Sequence, residues 1–365
     1  MNFTSTNRRC KHKNSNCNYT HLGSYHANFF HGSCFVLFFF VTLSFARKYS
    51  RSEKSKILLA FRSLIRTFAR RKESTIKIGM KKYVLDLQVK SVEQLHERYV
   101  LIKLTSEAPL PQMMPGQFVE VRVDGSPTTF LRRPISINFF DEAQNELWLL
   151  VAVVGDGTRR LAQLKAGDTL NCMLPLGKGF SLPLPKSGEQ PVNHEIEEVP
   201  SGAGKGSFLL VGGGVGVAPL LYQGAVLKKQ YGAEVTFLLG ARTAKDLLLL
   251  EKFKRYGRVC VTTEDGSMGE KGFVTNHSLL KEERFDMIQC CGPTPMMKAV
   301  VGYAWKTEQP CQVSLENMMA CGLGACLCCV EKIRQKEADG TEAVRNLCVC
   351  KDGPVFDKEE LTWQI

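Results

Sequence analysis

The sequence predicts a β + α/β architecture: an N-terminal antiparallel β-barrel, a doubly wound nucleotide-binding domain, and a small C-terminal cysteine-rich domain. Three observations carry this. Between residues 80 and 186, short runs rich in β-branched and aromatic residues are separated by turn signals at barrel-like spacing. From residue 207, strand patterns alternate with helical ones and open on a glycine-rich turn. Between residues 321 and 350 the chain gathers six of its 14 cysteines.

Composition excludes several functions. The chain has 365 residues, enough for two or three domains, and a formal charge of +12. That charge is local. Residues 1–79 hold 15 Lys and Arg against 2 acidic residues, while the remainder holds 33 against 34. The body is neutral, so no nucleic-acid partner is expected. A secreted disulfide framework would spread its cysteines through a small loop-rich domain. Clustering in a large chain points instead to a metal and to a reducing, cytoplasmic compartment.

Residues 1–79 read as an extension, non-functional or disordered, with a targeting segment (a signal-peptide core or an uncleaved anchor) as the alternative. Its apolar run, 34–46, is shorter than the roughly twenty residues a membrane span needs, so a membrane partner is not expected. Met80 is a candidate start of the functional body. Strands are expected at 83–89, 99–104, 117–123, 135–139 and 147–154, with turns such as Pro115-Gly116 and Asp124-Gly-Ser-Pro127 between them. These form the barrel domain, 80–186. The polar, Pro- and Gly-containing stretch 187–206 reads as a linker or inserted loop. Its Gly202-Ala-Gly-Lys-Gly-Ser207 lacks phosphate-loop spacing. The α/β domain is placed at 207–311 and the cysteine domain at 312–365.

Four motifs carry chemistry. Arg133-Pro134-Ile135-Ser136 opens a barrel strand, and its guanidinium and hydroxyl suit one anionic group. Gly155-Asp-Gly157-Thr158 leads into a predicted helix from Arg159, a second anion site with Thr158 as a cap. Two such sites on one barrel suit a dinucleotide such as a flavin. Gly212, Gly214 and Gly216, with Pro219, lie between a strand and a helix, where glycines let backbone approach a pyrophosphate. Cys291-Gly292-Pro293 ends a later strand, at the sheet edge where such folds bind ligands.

The cysteine cluster is the most specific signal. Cys321, Cys326 and Cys329 have C-x4-C-x2-C spacing, and Cys350 follows as a fourth ligand. This is plant-type [2Fe-2S] spacing. Zinc is the rival, but structural zinc sites pair C-x2–4-C knuckles from two separate places. Cys328 and Cys348 are surplus, and Cys348 competes with Cys350 for the fourth position. No Ser-His-Asp or paired-carboxylate arrangement appears, and His96, His194 and His277 stand alone.

In this order, the motifs RPIS, GxGT, GGGVGVAP, CGP, MACGLGAC-x2-C and CKDGPVF resemble the ferredoxin reductase-like flavoproteins. Within them they resemble the electron-transfer subunits of type-B dihydroorotate dehydrogenase, over residues 80–365. The resemblance implies that Arg133, Pro134, Ile135 and Ser136 bind FAD, with Leu150, Val151 and Ala152 on the neighbouring strand and Gly157 and Thr158 at the pyrophosphate. It implies that Gly212, Gly214, Gly216, Pro219, Cys291, Gly292 and Pro293 receive NAD. Cys321, Cys326, Cys329 and Cys350 would hold the [2Fe-2S] cluster. The implied partner is an FMN-containing catalytic subunit, in a heterotetramer with two copies of each, working with NAD(H) in pyrimidine (UMP) biosynthesis. No catalytic residue is expected on this chain itself. The alternatives are another flavin/iron-sulfur reductase subunit, ferredoxin:NADP or sulfide-linked, and a zinc-binding module. The sequence departs from the family in the 1–79 extension, the 187–206 insertion and a longer gap before Cys350.

Overall fold

A computed structural model describes residues 81–183, 206–337 and 339–363. The expected extension 1–79, the start at Met80 and the 187–206 insertion up to residue 205 lie outside them. Six antiparallel strands close the barrel: β1 (Tyr83–His96), β2 (Tyr99–Thr105), β3 (Phe118–Val121), β4 (Arg133–Asp141), β5 (Glu146–Ala152) and β6 (Thr169–Leu176), in the order β1-β2-β5-β4-β3-β6. A short helix, α1 (Asp156–Leu161), joins β5 to β6. Strand β6 is missing from the sequence expectation. Its Thr-Leu-Asn-Cys-Met-Leu-Pro-Leu sequence lacks β-branched residues after the first and carries a proline. It is a strand because its neighbours make it one, pairing with β1 on one side and β3 on the other.

The α/β domain begins with β7 (Ser207–Gly213), α2 (Ala218–Tyr231) and β8 (Glu234–Ala241). It continues through α3 (Leu250–Phe253), β9 (Arg258–Thr263), β10 (Glu270–Lys271), α4 (Leu279–Glu282), β11 (Met287–Cys291), α5 (Thr294–Lys306) and β12 (Cys311–Ser314). The C-terminal segment adds the hairpin β13 (Val330–Lys336) and β14 (Glu342–Cys348), then α6 (Val349–Asp352) and β15 (Val355–Asp357). Sheet order is β10-β9-β8-β7-β11-β12-β15. All pairs are parallel except β12–β15. The order reverses between β7 and β11, the switch point at which open α/β sheets bind ligands.

Two apolar cores hold the body together. One runs from the barrel interior (Leu87, Leu101, Ile137) to α2 and one face of the sheet (Leu220, Phe237). The other joins the opposite face (Leu209, Val300) to the cysteine segment (Cys329, Val349) and to Phe118, Met173 and Leu176 on the outside of the barrel. Strand β3 is therefore buried on both sides, Val119 and Val121 inward and Phe118 and Glu120 outward.

Candidate electron-transfer site

The barrel motif lies where two strands part. β4 pairs with β3 through Arg133, Pro134, Ile135 and Ser136. It pairs with β5 only from Ile137 onward, opposite Leu149. Leu150, Val151 and Ala152 keep their bonds to β2 on the far side. The facing backbone edges of Arg133–Ser136 and Leu150–Ala152 thus have no ladder partner across the gap, which leaves donors and acceptors for a planar polar ring. Gly157 adjoins them, since a Cβ there would lie 3.0 Å from Thr129 Cγ2 and 3.5 Å from Arg133 Cδ. Arg133 is braced by its own loop, donating from Nε to the Arg132 carbonyl at 2.9 Å and from Nη2 to that of Leu131 at 3.1 Å.

The helix after Gly155 starts earlier than the sequence suggests. It begins at Asp156 with Gly155 as its cap, so Thr158 is its third residue and not the cap. Thr158 Oγ1 accepts from the Val154 and Gly155 N–H groups at 2.9 and 3.1 Å, and so fixes the turn from inside.

At the switch point two loops interlock. Gly212 pairs with Cys291 across β7 and β11. Gly214 adopts φ +56°, and a Cβ on it would lie 3.9 Å from the Tyr99 hydroxyl of the barrel. A Cβ on Gly216 would lie 2.4 Å from Gly292 Cα, so only glycine lets the two loops touch. Pro219 stands in the first turn of α2, where its missing N–H costs nothing. Cys291 is fully buried, which pushes its thiol well above the ordinary range, and Ser314 is its ladder partner on β12. Glu316 follows at the rim, near enough to Cys291 to act on it electrostatically. Sequence reading missed Ser314 and Glu316. The signal was the β12 strand, whose parallel pairing carries them to the same carboxyl edge as Cys291.

The cysteine loop folds around backbone N–H groups. Leu323 N donates to Cys321 Sγ at 3.3 Å, Gly324 N to Cys350 Sγ at 3.2 Å, Cys328 N to Cys326 Sγ at 3.5 Å and Cys350 N to Cys329 Sγ at 3.4 Å. The Leu323 N–H, helped by Cys326, holds the Cys321 thiol down to about 6. Burial, with Cys329 alongside, pushes Cys350 up to about 12. Cys326 adjoins Cys321, and Cys329 adjoins both Cys350 and Cys348. Among the described residues no three His, Cys, Asp or Glu side chains gather about one ion position. Three thiols from one glycine-containing loop and a fourth from a later segment are the donor set of a binuclear cluster, which takes two thiolates per iron. The donor set fits the [2Fe-2S] group. Cys348 also neighbours Cys329, but its thiol donates to the Gly324 carbonyl at 3.7 Å. Cys328 is exposed.

The loop sits on the outside of the barrel. A Cβ on Gly322 would lie 2.8 Å from Glu120 Cγ and 3.1 Å from Met173 and Leu176 side-chain carbons. Glu120 is fully buried and neither carboxylate oxygen has a partner. Burial pushes it up to about 7, against the pull of Arg133 and Arg132. Its ladder partner on β4 is Pro134. The cysteine loop and the Arg133–Ser136 segment therefore flank the same strand pair.

Comparison with known proteins matches these parts. The model of the iron-sulfur cluster binding domain of dihydroorotate dehydrogenase B matches residues 316–362, and that of the oxidoreductase NAD-binding domain matches 210–302. The dihydroorotate dehydrogenase B (NAD+) electron transfer subunit of Shouchella clausii is 38% identical, over 75% of this chain and 95% of its own length. That of Listeria monocytogenes serotype 4a is 37% identical, over 76% of this chain and 100% of its own length. A solved NADH-dependent reduced ferredoxin-NADP oxidoreductase superposes with TM-score 0.61 at 30% identity, over 76% of this chain and 90% of that one. The ferredoxin reductase of carbazole 1,9a-dioxygenase, at TM-score 0.50 and 19% identity, covers 63% of this chain and 67% of its own and shares the fold.

Proposed function

The chain belongs to the family of electron-transfer subunits of dihydroorotate dehydrogenase B (NAD+), and from that premise we propose that it carries electrons between a dihydroorotate-oxidising FMN subunit and NAD+. When bound, the cluster moves single electrons and FAD converts pairs of them to the hydride that NAD+ accepts. The observation that carries the reading is the shared β3–β4 ladder, with Glu120 under the cysteine loop and Pro134 within the flavin segment.

In this reading Arg133 and Ser136 hold the flavin by its anionic and polar groups, and the Leu150–Ala152 edge offers backbone donors. Gly157 and Thr158 shape the turn beside the pyrophosphate. Gly212, Gly214, Gly216 and Pro219 admit the dinucleotide backbone, while Cys291, Gly292 and Pro293 wall its other side. Ser314 flanks Cys291 from the paired strand. Cys321, Cys326, Cys329 and Cys350 hold the cluster, their charge offset by the N–H groups of Leu323, Gly324, Cys328 and Cys350. The partner is the FMN catalytic subunit, two of each forming the working assembly, in the cytoplasm. The 11 described cysteines are all free thiols, which supports a reducing compartment. No described helix is long and apolar enough to cross a membrane.

The test is co-expression with an FMN subunit, followed by visible spectroscopy. Dihydroorotate should bleach the flavin and cluster bands of the complex and leave the isolated chain unchanged. A complex reduced by ferredoxin or NADPH, and not by dihydroorotate, would favour the other reductase reading. A colourless zinc-loaded chain would end the redox reading. Within the same preparation, Cys350→Ser should lose the cluster bands and keep FAD, while Cys348→Ser keeps both.

A further inference from the structure

On the outer side of α5, away from the switch point, lies a cleft of about 880 Å³ that the electron-transfer reading does not use. One wall is the last three turns of α5, with Lys298, Tyr303, Trp305 and Lys306. The other is the cysteine segment and chain end, with Arg334 and Trp363. Lys298 and Lys306 stand about two helical turns apart on one helix, so they lie toward one side of it, with the small residue Ala299 exposed beside Lys298.

Its chemistry is specific. Three cations line it and no carboxylate does, in a body whose charges otherwise nearly cancel. Arg334 has a distant partner, Glu342 at 3.6 Å, and neither lysine makes an ion pair among the described residues. Lys298 Nζ lies 5.8 Å from the centre of the Trp363 ring. Trp305 is 45% exposed although the buried Lys358 ammonium sits 4.6 Å from its ring centre. An exposed indole, Trp305, and a half-buried one, Trp363, beside the unpaired Lys298 and Lys306 ammonium groups suit a ligand that joins a planar aromatic ring to a chain of negative charges. The volume is in the range of small-ligand sites, about 300–1,000 Å³. Trp363 lies one residue beyond the stretch matched by the cluster-domain model, whereas Arg334 lies within it.

We propose that this cleft is a second nucleotide site, binding a nucleoside polyphosphate with its base against Trp305 or Trp363 and its phosphates on Lys298, Lys306 and Arg334. It is separate from the dinucleotide cleft. That cleft borders the first turn of α5, where Pro293 and Met296 face Gly213, and this one borders the turns from Lys298 onward. A ligand here would bridge the helix that follows Pro293 and the strand that follows Cys329, joining the nucleotide domain to the cluster segment.

The experiment is equilibrium dialysis of radiolabelled ATP against the holo-complex, with NAD+ present to fill the dinucleotide cleft. ATP should saturate one site per chain. Adenosine and inorganic triphosphate, each offering half of the chemistry, should bind about tenfold more weakly or worse. Lys298→Glu and Trp363→Ala should each weaken ATP about tenfold, with flavin and cluster spectra and NAD+ reduction unchanged. Absence of ATP binding at millimolar concentration overturns the proposal. So does ATP binding that Lys298→Glu leaves intact, and so does triphosphate binding as tight as ATP. The lysine variant is on the surface of a folded helix, so the test stands even if the tryptophan variant misfolds.

Discussion

Glu120 is an acid enclosed by protein with nothing donating to it. Its carboxyl moves from an ordinary 4.5 to about 7 on folding, chiefly through burial. The folded chain therefore binds a proton that the unfolded chain releases. Stability from this group is full below about pH 4.5 and is lost as pH rises through 7, a change of about 3 kcal/mol. Glu120→Gln should flatten that dependence in the cluster-free protein and raise the thermal midpoint at pH 8.5 relative to the parent. Parallel midpoint curves between pH 5.5 and 8.5 would show the shift to be unreal. The contrast with the cysteines explains what is legible at this scale. Cys321, Cys326 and Cys329 announce themselves because thiol chemistry and spacing are both local. Glu120, Ser314 and Glu316 look like ordinary strand and loop residues, since their character comes from which distant segments enclose them.

Elements differ in how far their sequence determines them. The glycine turn after β7 is readable, and the switch point gives it a reason. Its third residue, Gly216, is the tightest requirement, because a methyl there meets the Gly292 backbone. Gly216→Ala should push the two loops apart and raise KM for NAD+ about tenfold or more, leaving the flavin and cluster spectra as they are. An unchanged KM would mean that the loops do not jointly hold the dinucleotide. Other elements are not readable. The parting of β4 from β5 leaves no mark on either strand, since it depends on a ladder that stops at Ile137. Strand β6 has weak intrinsic preference and is specified by two partners distant in sequence. The start of α1 is displaced because Thr158 bonds backward to backbone, as readily as a cap would bond forward.

For the whole molecule, the junction between barrel and sheet is polar at its centre. Gln223, Gln289 and Gln312 are buried, and they close around the segment leaving the barrel. Gln289 Nε2 donates to the Ser181 carbonyl at 3.0 Å and to Gln312 Oε1 at 3.1 Å, and its own Oε1 accepts from Gln223 at 2.7 Å. Nearby, Asn138 of the barrel donates to the Ala218 carbonyl at 2.9 Å, and the Tyr222 hydroxyl of α2 to that of Met113 at 2.9 Å. These bonds fix the distance between the parted strands and the glycine turn. Gln289→Ala strands its neighbours in a dry interface, so it should cost about 2 kcal/mol or more in urea unfolding. A midpoint equal to the parent's would mean that the junction is wetter than its burial implies. None of this is legible in sequence, where three glutamines in separate strands and helices look like solvent-facing residues.

Strand β15 carries a consequence of a different kind. It comes from the last part of the chain yet seals the edge of a sheet begun at Ser207, and Pro354 beside it also bridges to Lys178 just past the barrel. During synthesis, β12 must wait with an open edge until some forty more residues have left the ribosome, and the thiols lie within that stretch. Sheet completion and metal loading therefore share one late window, in which the nascent chain is exposed both to mispairing along its edge and to oxidation of its cysteines. A cell making this subunit has reason to supply iron and sulfide at that moment and not afterwards.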